Sequence, residues 1–179
     1  FVLINEATGE LFREKCLTTP EDPVRGIMHG VQRLQASGVV KPEEIMGVAH
    51  ATTLVTNTLI ERKGAVTGLL ATDGFRDLLE LGSDMRYDMY DLSIEFPQPL
   101  VARTMRLGVQ ERMAASGETL AEPTVADVRK QVKILKKQSV TSIAVCFLHS
   151  YRNPANEQLV AKQLRKEFPE LSVSISSEV

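Results

Sequence analysis

The chain has 179 residues, 43% of them hydrophobic and 25% charged, and carries a net charge of −2. That length suits one ordinary domain or two small lobes with an apolar core, and the near-neutral balance gives no electrostatic case for nucleic acid or an anionic membrane surface. No apolar run approaches the roughly 18 to 20 residues a spanning helix needs, and Cys16 and Cys146 stand in neither metal nor redox spacing, which fits buried thiols in a cytoplasmic setting.

Residues 1–4 and 10–17 predict two strands joined by a turn at Ala7-Thr8-Gly9. The chain opens on Phe1-Val2-Leu3-Ile4 and closes on Val179, so it is expected to be a fragment of a longer polypeptide. Asp22 and Pro23 supply an N-cap and a first-turn proline. Val24, Ile27, Met28, Val31 and Leu34 then recur at helical spacing as an expected buried stripe, with Gly38 placed to end the helix. His29 lies off that stripe and reads as a solvated side chain. A short turn at 42–44 leads to an expected strand over 45–49, which delivers His50 at its end.

The stretch from His50 to Gly82, HATTLVTNTLIERKGAVTGLLATDGFRDLLELG, holds the densest signals. Thr52 and Thr53 stand where a helix begins, so a hydroxyl there can accept from an orphan backbone N–H. Thr53, Asn57 and Glu61 fall at i, i+4 and i+8 on one line, and Leu54, Val55 and Leu59 form the expected buried stripe. Residues 66–71 read as a strand covered on both faces, Thr72-Asp73-Gly74 as a turn, and 75–81 as a short helix ended by Gly82.

Residues 83–99 predict a long loop carrying Asp84, Arg86, Asp88 and Asp91. Those charges suit a charged substrate or a cation, and equally a solvated loop or a contact for a neighbouring domain. Residues 100–113 predict one or two strands before a turn at Ser116-Gly117. Thr124 caps a helix bearing Val125, Val128, Val132 and Leu135, and 143–148 is a buried strand. Asn153-Pro154 opens a helix with Leu159, Val160, Leu164 and Phe168 inward, and Leu171, Val173 and Ile175 close the pattern as a strand. Alternating strands and helices predict an α/β fold, a mostly parallel sheet with helices on both faces. It would form one region over 1–179, with lobes 1–99 and 100–179.

Ligands of open α/β sheets gather outside the carboxyl ends of the strands. His50-Ala51-Thr52-Thr53 and His149-Ser150-Tyr151-Arg152-Asn153 are the two places of that kind. Each also reads as a structural turn, with Ser150 and Asn153 satisfying backbone groups. No G-x-S-x-G, Walker A, G-x-G-x-x-G or H-E-x-x-H motif occurs, so composition and motifs alone describe a binding scaffold without a complete catalytic set.

Five separated words, HATTLVTNTLIERKG, TDGFRDLLELG, MYDL, CFLHSYRNPANE and SSEV, follow one another along nearly the whole chain. Together they resemble the N-terminal region of the hydantoinase A/5-oxoprolinase family, whose relatives include N-methylhydantoinase A subunits and acetone-type carboxylase subunits. The resemblance implies an actin-like ATPase fold of the acetate and sugar kinase/Hsp70 superfamily and an enzyme that uses ATP and Mg. It implies phosphorylation of the carbonyl of hydantoin, N-methylhydantoin or 5-oxoproline, then ring opening by water. An amide is a poor electrophile, and turning its oxygen into a phosphate gives the carbon a leaving group, chemistry that rests on positioning and charge stabilisation.

Residue by residue, the family's H-G-T-T-x-x-T-N word falls on His50, Ala51, Thr52, Thr53, Thr56 and Asn57, with Ala51 departing from glycine. Its E-R-x-G falls on Glu61, Arg62 and Gly64. Its R-P-x-x-Y-D-L falls on Arg86, Tyr87, Tyr90, Asp91 and Leu92, with Tyr87 replacing proline. His50, Thr52, Thr53, Asn57, Glu61, Arg86 and His149 are therefore the residues expected to line substrate or nucleotide, and no catalytic residue or metal ligand is assigned. The family's phosphate loop would precede residue 1 and its second lobe would follow residue 179, so the fragment is expected to fold without turning over ATP. A B-type hydantoinase subunit is the implied partner. Two alternatives stand beside the cyclic-amide hydrolase: a non-catalytic module docking a partner subunit, and a subunit of an ATP-dependent ketone carboxylase.

Overall fold

The computed structural model describes residues 1–82, 90, 91 and 93–179. Two compact units divide it, Phe1–Thr52 and Thr53–Val179.

In the first unit, β1 (Val2–Ile4) and β2 (Leu11–Arg13) pair antiparallel. Asn5 builds the turn between them, its Oδ1 accepting from the N–H groups of Ala7 and Thr8 at 3.0 and 3.2 Å, and Gly9 takes the left-handed φ of 73° that the turn requires. Helix α1 (Pro23–Ala36) starts as its sequence predicts: Asp22 Oδ1 accepts from Val24 N and Arg25 N at 3.1 and 3.3 Å, with Pro23 in the first turn.

The face that α1 buries differs from the expected apolar stripe. Gly26, Gly30 and Leu34 are buried, whereas Val24 and Met28 are 65% and 49% exposed. The glycines decide this. A Cβ on Gly30 would stand 1.9 Å from the Phe1 ring, so the ring lies against bare helix backbone and the helix turns its glycine side inward. Residues 45–49 form no strand, and Ile45, Met46 and Val48 are exposed. Apolar residues supply a strand with side chains, but the strand exists only through a hydrogen-bonded neighbour, and none of the described residues pairs with these.

The second unit opens with α2 (Leu54–Glu61), ended by Arg62 in the left-handed region at φ 53°. Here too the expected inner stripe is overturned. Leu54, Val55 and Leu59 are exposed and α2 buries no residue. Thr53 occupies the N-cap position without a side-chain capping bond. The eight-residue helix is anchored at its C-terminal end, where the Arg62 guanidinium donates to Gln98 O at 2.7 Å.

The core lies in a four-stranded, wholly parallel sheet: β3 (Thr67–Thr72), β4 (Arg106–Val109), β7 (Ser142–Cys146) and β8 (Ser172–Ile175), in the order β4-β3-β7-β8. Short α3 (Leu78–Leu81) follows β3, and β5 (Arg112–Met113) and β6 (Thr119–Ala121) form a hairpin turned by Gly117 at φ 91°. Helices α4 (Val125–Lys136) and α5 (Ala155–Glu167) complete the crossovers. Thr124 Oγ1 caps α4 by accepting from Asp127 N at 3.2 Å.

Strand alternation sends Leu70, Val109, Ile143, Val145 and Ile175 into one cluster with Val128, Val132 and Leu135 of α4 and Val160, Ala161 and Leu164 of α5. Leu159, expected inward, is exposed. Because α4 and α5 also touch each other, both lie on one face of the sheet, and among the described residues no long helix packs on the other, although β3 itself is buried on both faces as expected. The reason is in the strands. On the other face β7 and β8 present Ala144, Cys146, Ser172 and Ser174, too small and polar to hold a helix by apolar burial. Cys146 is accordingly exposed and Cys16 only half-buried, against the expectation of two buried thiols. The expected lobe boundary between residues 99 and 100 runs through this sheet, since β3 pairs with β4 and β7 across it.

Three carboxylates on the surface of this unit are held below their usual range. Arg103 hydrogen-bonds Asp77 at 2.9 and 3.0 Å, Arg129 hydrogen-bonds Glu167 at 2.9 and 2.8 Å, and Lys136 hydrogen-bonds Glu170. A lowered folded value means stability that is complete above the ordinary carboxylate range and is lost as pH falls through the folded values. Acid titration of the unfolding midpoint is expected to fall on that side, and less steeply in high salt because all three pairs are exposed. At the core, a Cβ on Gly68 would lie 2.7 Å from Leu135 Cδ1. Gly68→Ala should therefore cost about 1–3 kcal/mol in a denaturant melt through overpacking.

Candidate functional site

All four parallel strands end at one edge, and their carboxyl ends converge on a buried polar cluster. Thr72 ends β3, Glu111 follows β4, Phe147 to Ser150 follow β7, and Ser176 and Ser177 follow β8. Asn156 and Glu157 come from the first turn of α5. Thr72, Glu111 and Glu157 are 1%, 4% and 1% exposed.

Glu157 is saturated. Its Oε1 accepts from Phe147 N at 2.9 Å and from Ser176 Oγ at 2.7 Å, and its Oε2 accepts from Ser177 N at 2.9 Å. Glu111 accepts from the Thr72 hydroxyl on Oε1 and from Asn156 Nδ2 at 2.7 Å on Oε2. Asn156 Nδ2 also reaches Ala121 O at 3.0 Å. Thr72 Oγ1 in turn accepts from Leu148 N at 2.9 Å. Burying a carboxylate is costly unless several donors replace water, and each one here has two or three. Glu157 sits besides in the first turn of α5, where the helix dipole favours negative charge.

His149 follows at the rim. Its backbone is left-handed, φ 59°, and its Nδ1 lies 3.4 Å from the Tyr151 hydroxyl, with the two rings edge to face. Ser150 Oγ lies 3.0 Å from Ser176 Oγ. Asn153 accepts from Ala155 N at 3.0 Å and donates to Gly117 O at 2.9 Å, so the backbone-satisfying reading describes Asn153, whereas the Ser150 hydroxyl meets a side chain.

The expected site residues are divided between the two units. His50 and Thr52 are exposed and lie in the first unit. Thr53, Asn57 and Glu61 share one exposed line on α2, with Glu61 ion-paired to Lys63 at 2.8 Å. No hydrogen bond joins them to His149 among the described residues. Arg86 lies outside the described residues, as do Asp84 and Asp88, while Asp91 accepts from Ser93 N at 2.8 Å. Sequence reasoning missed Glu111 and Glu157. The available signal was position: each follows a strand end or opens the helix after one, where carboxylates meet free N–H groups.

This edge does not fit nucleotide phosphates. Its backbone donors at Phe147, Leu148 and Ser177 are already taken by Glu157 and Thr72, and two carboxylates would repel an anion. Among the described residues no group of three or more His, Cys, Asp or Glu side chains is placed to hold a metal ion. What the cluster can do is fix loop geometry. Glu157→Gln keeps the shape but turns an amide N–H2 toward a backbone N–H donor, so unfolding should become easier by about 1–3 kcal/mol in equilibrium denaturation.

Likeness to known proteins extends over nearly the whole chain. The chain is 29% identical to the caprolactamase subunit alpha of Pseudomonas jessenii over 99% of its own length and 26% of that protein. It is 29% identical to the acetophenone carboxylase gamma subunit of Aromatoleum aromaticum, over 92% of its own length and 24% of that protein. The crystal structure of the ATP-dependent caprolactamase from Pseudomonas jessenii superposes with a TM-score of 0.78, at 29% identity, covering 99% of this chain and 26% of that one. The chain thus spans about a quarter of the length of these two relatives. The hydantoinase/oxoprolinase N-terminal region family matches residues 1–168, and the chain belongs to that family.

Proposed function

We propose that this region is the N-terminal part of an ATP-dependent enzyme that hydrolyses a cyclic amide, in a cytoplasmic, actin-like ATPase assembled with a B-type subunit. The observation that carries the reading is the likeness to caprolactamase, which extends over nearly all of this chain in both sequence and fold. Family membership supports the same class.

In this reading the carboxyl edge of the parallel sheet is a rigid platform for the amide substrate. The nucleotide and Mg are held by parts of the parent polypeptide other than that edge, because its donors are spent on its own carboxylates. His50, Thr52, Thr53, Asn57, Glu61 and Arg86 belong to the same proposal as lining residues of the full enzyme. A ketone carboxylase is the second reading, supported by the likeness to the acetophenone carboxylase gamma subunit.

The test is phosphate release from ATP by the full parent polypeptide with its partner subunit. The panel is caprolactam, hydantoin, N-methylhydantoin, 5-oxoproline and a simple ketone with bicarbonate. Stimulation by a lactam or other cyclic amide is the expected result. Stimulation by the ketone alone would move the assignment to a carboxylase, and no stimulation by any compound would favour a docking module.

A further inference from the structure

His149 is fastened on both sides. Before it, Phe147 N is held by Glu157 at 2.9 Å, and Leu148 N by Thr72 Oγ1 at 2.9 Å, with the Thr72 hydroxyl donating to Glu111. After it, Ser150 Oγ meets Ser176 Oγ at 3.0 Å, and that hydroxyl donates to Glu157 at 2.7 Å. Between these anchors His149 takes a left-handed backbone at φ 59°, a region few non-glycine residues enter. Its Nδ1 faces Tyr151 at 3.4 Å, and its Nε2 has no hydrogen-bond partner among the described residues.

A turn that needed only left-handed backbone would accept glycine without strain. Here an imidazole occupies that position, over a buried network with two carboxylates in it. Strained residues that the surrounding structure over-determines cluster at ligand sites.

We propose that His149 contacts the ligand at the carboxyl edge, offering Nε2 to an oxygen of the amide substrate, and that Thr72, Glu111 and Glu157 are positioning residues acting through its backbone. The proposal rests on the amide-hydrolase reading and names the group that meets the substrate.

The experiment uses the full parent polypeptide with its partner and the amide that stimulates phosphate release. His149→Gly suits the left-handed backbone, so the thermal midpoint should hold while kcat/KM falls about 10- to 100-fold, the worth of a hydrogen bond to a developing charge. Thr72→Val removes the hydroxyl at nearly constant shape. It should lower kcat about tenfold with little change in KM, because misplacement acts on the reacting geometry, and Thr72→Ser should restore it. A purely structural clamp would move the midpoint and leave kcat unchanged well below it. Diethyl pyrocarbonate modification of His149, followed by mass spectrometry, should slow in the presence of the amide. Unchanged turnover in His149→Gly, or modification indifferent to saturating amide, overturns the inference and leaves the amide-hydrolase reading standing. No turnover with any compound overturns that reading and the inference with it.

Discussion

A wholly parallel sheet delivers all its strand ends to one edge, where the backbone N–H groups beyond the last ladder bond must find acceptors in a buried setting. In this chain carboxylates and a hydroxyl take that role. Glu157 receives Phe147 N and Ser177 N, and Thr72 receives Leu148 N while donating to Glu111. The same groups tie α5 to the ends of β7 and β8, and through Asn156 to β6. Removing either carboxylate would leave donors buried without partners, so the edge holds together as a unit or not at all.

The two faces of the sheet are unequal for a related reason. Leu70, Ile143 and Val145 find a full apolar partner in α4 and α5, and Gly68 lets Leu135 approach the strand closely. The reverse face offers alanine, cysteine and serine along β7 and β8. Burial is therefore concentrated on one side, and the carboxyl edge beside it inherits that rigidity. The Arg106 side chain, 1% exposed, spans to Val101 O at 2.7 Å and Glu80 at 3.0 Å, securing the start of β4.

The words that mark the family take on different physical meanings once folded. Thr72 of TDGF and Asn156 of NPANE meet at buried Glu111, and buried Glu157 of NPANE receives Ser176 and Ser177 of SSEV. They are far apart in the chain and adjacent in space, and their shared task is to shape the loop that carries His149. The HATT word is unlike them. It lies in exposed, irregular chain ahead of α2.

Local physics was legible in the sequence itself. The Asp22-Pro23 helix start, the Thr124 cap, the turns at Gly9 and Gly117, the period-2 and period-3.6 apolar patterns and the βα alternation all depend on neighbours within a few residues, so single-sequence reasoning reaches them. The tertiary structure decided the rest. It chose which helix face turned inward on α1, left α2 exposed, denied residues 45–49 a strand partner and put α4 and α5 on one face. Above all it assembled the polar edge, where Thr72 meets Glu111 across 39 residues and Leu148 across 76. A glutamate in a sequence reads as a solvated charge. Only the convergence of distant strand ends, each with an unsatisfied donor, makes burial of Glu111 and Glu157 favourable.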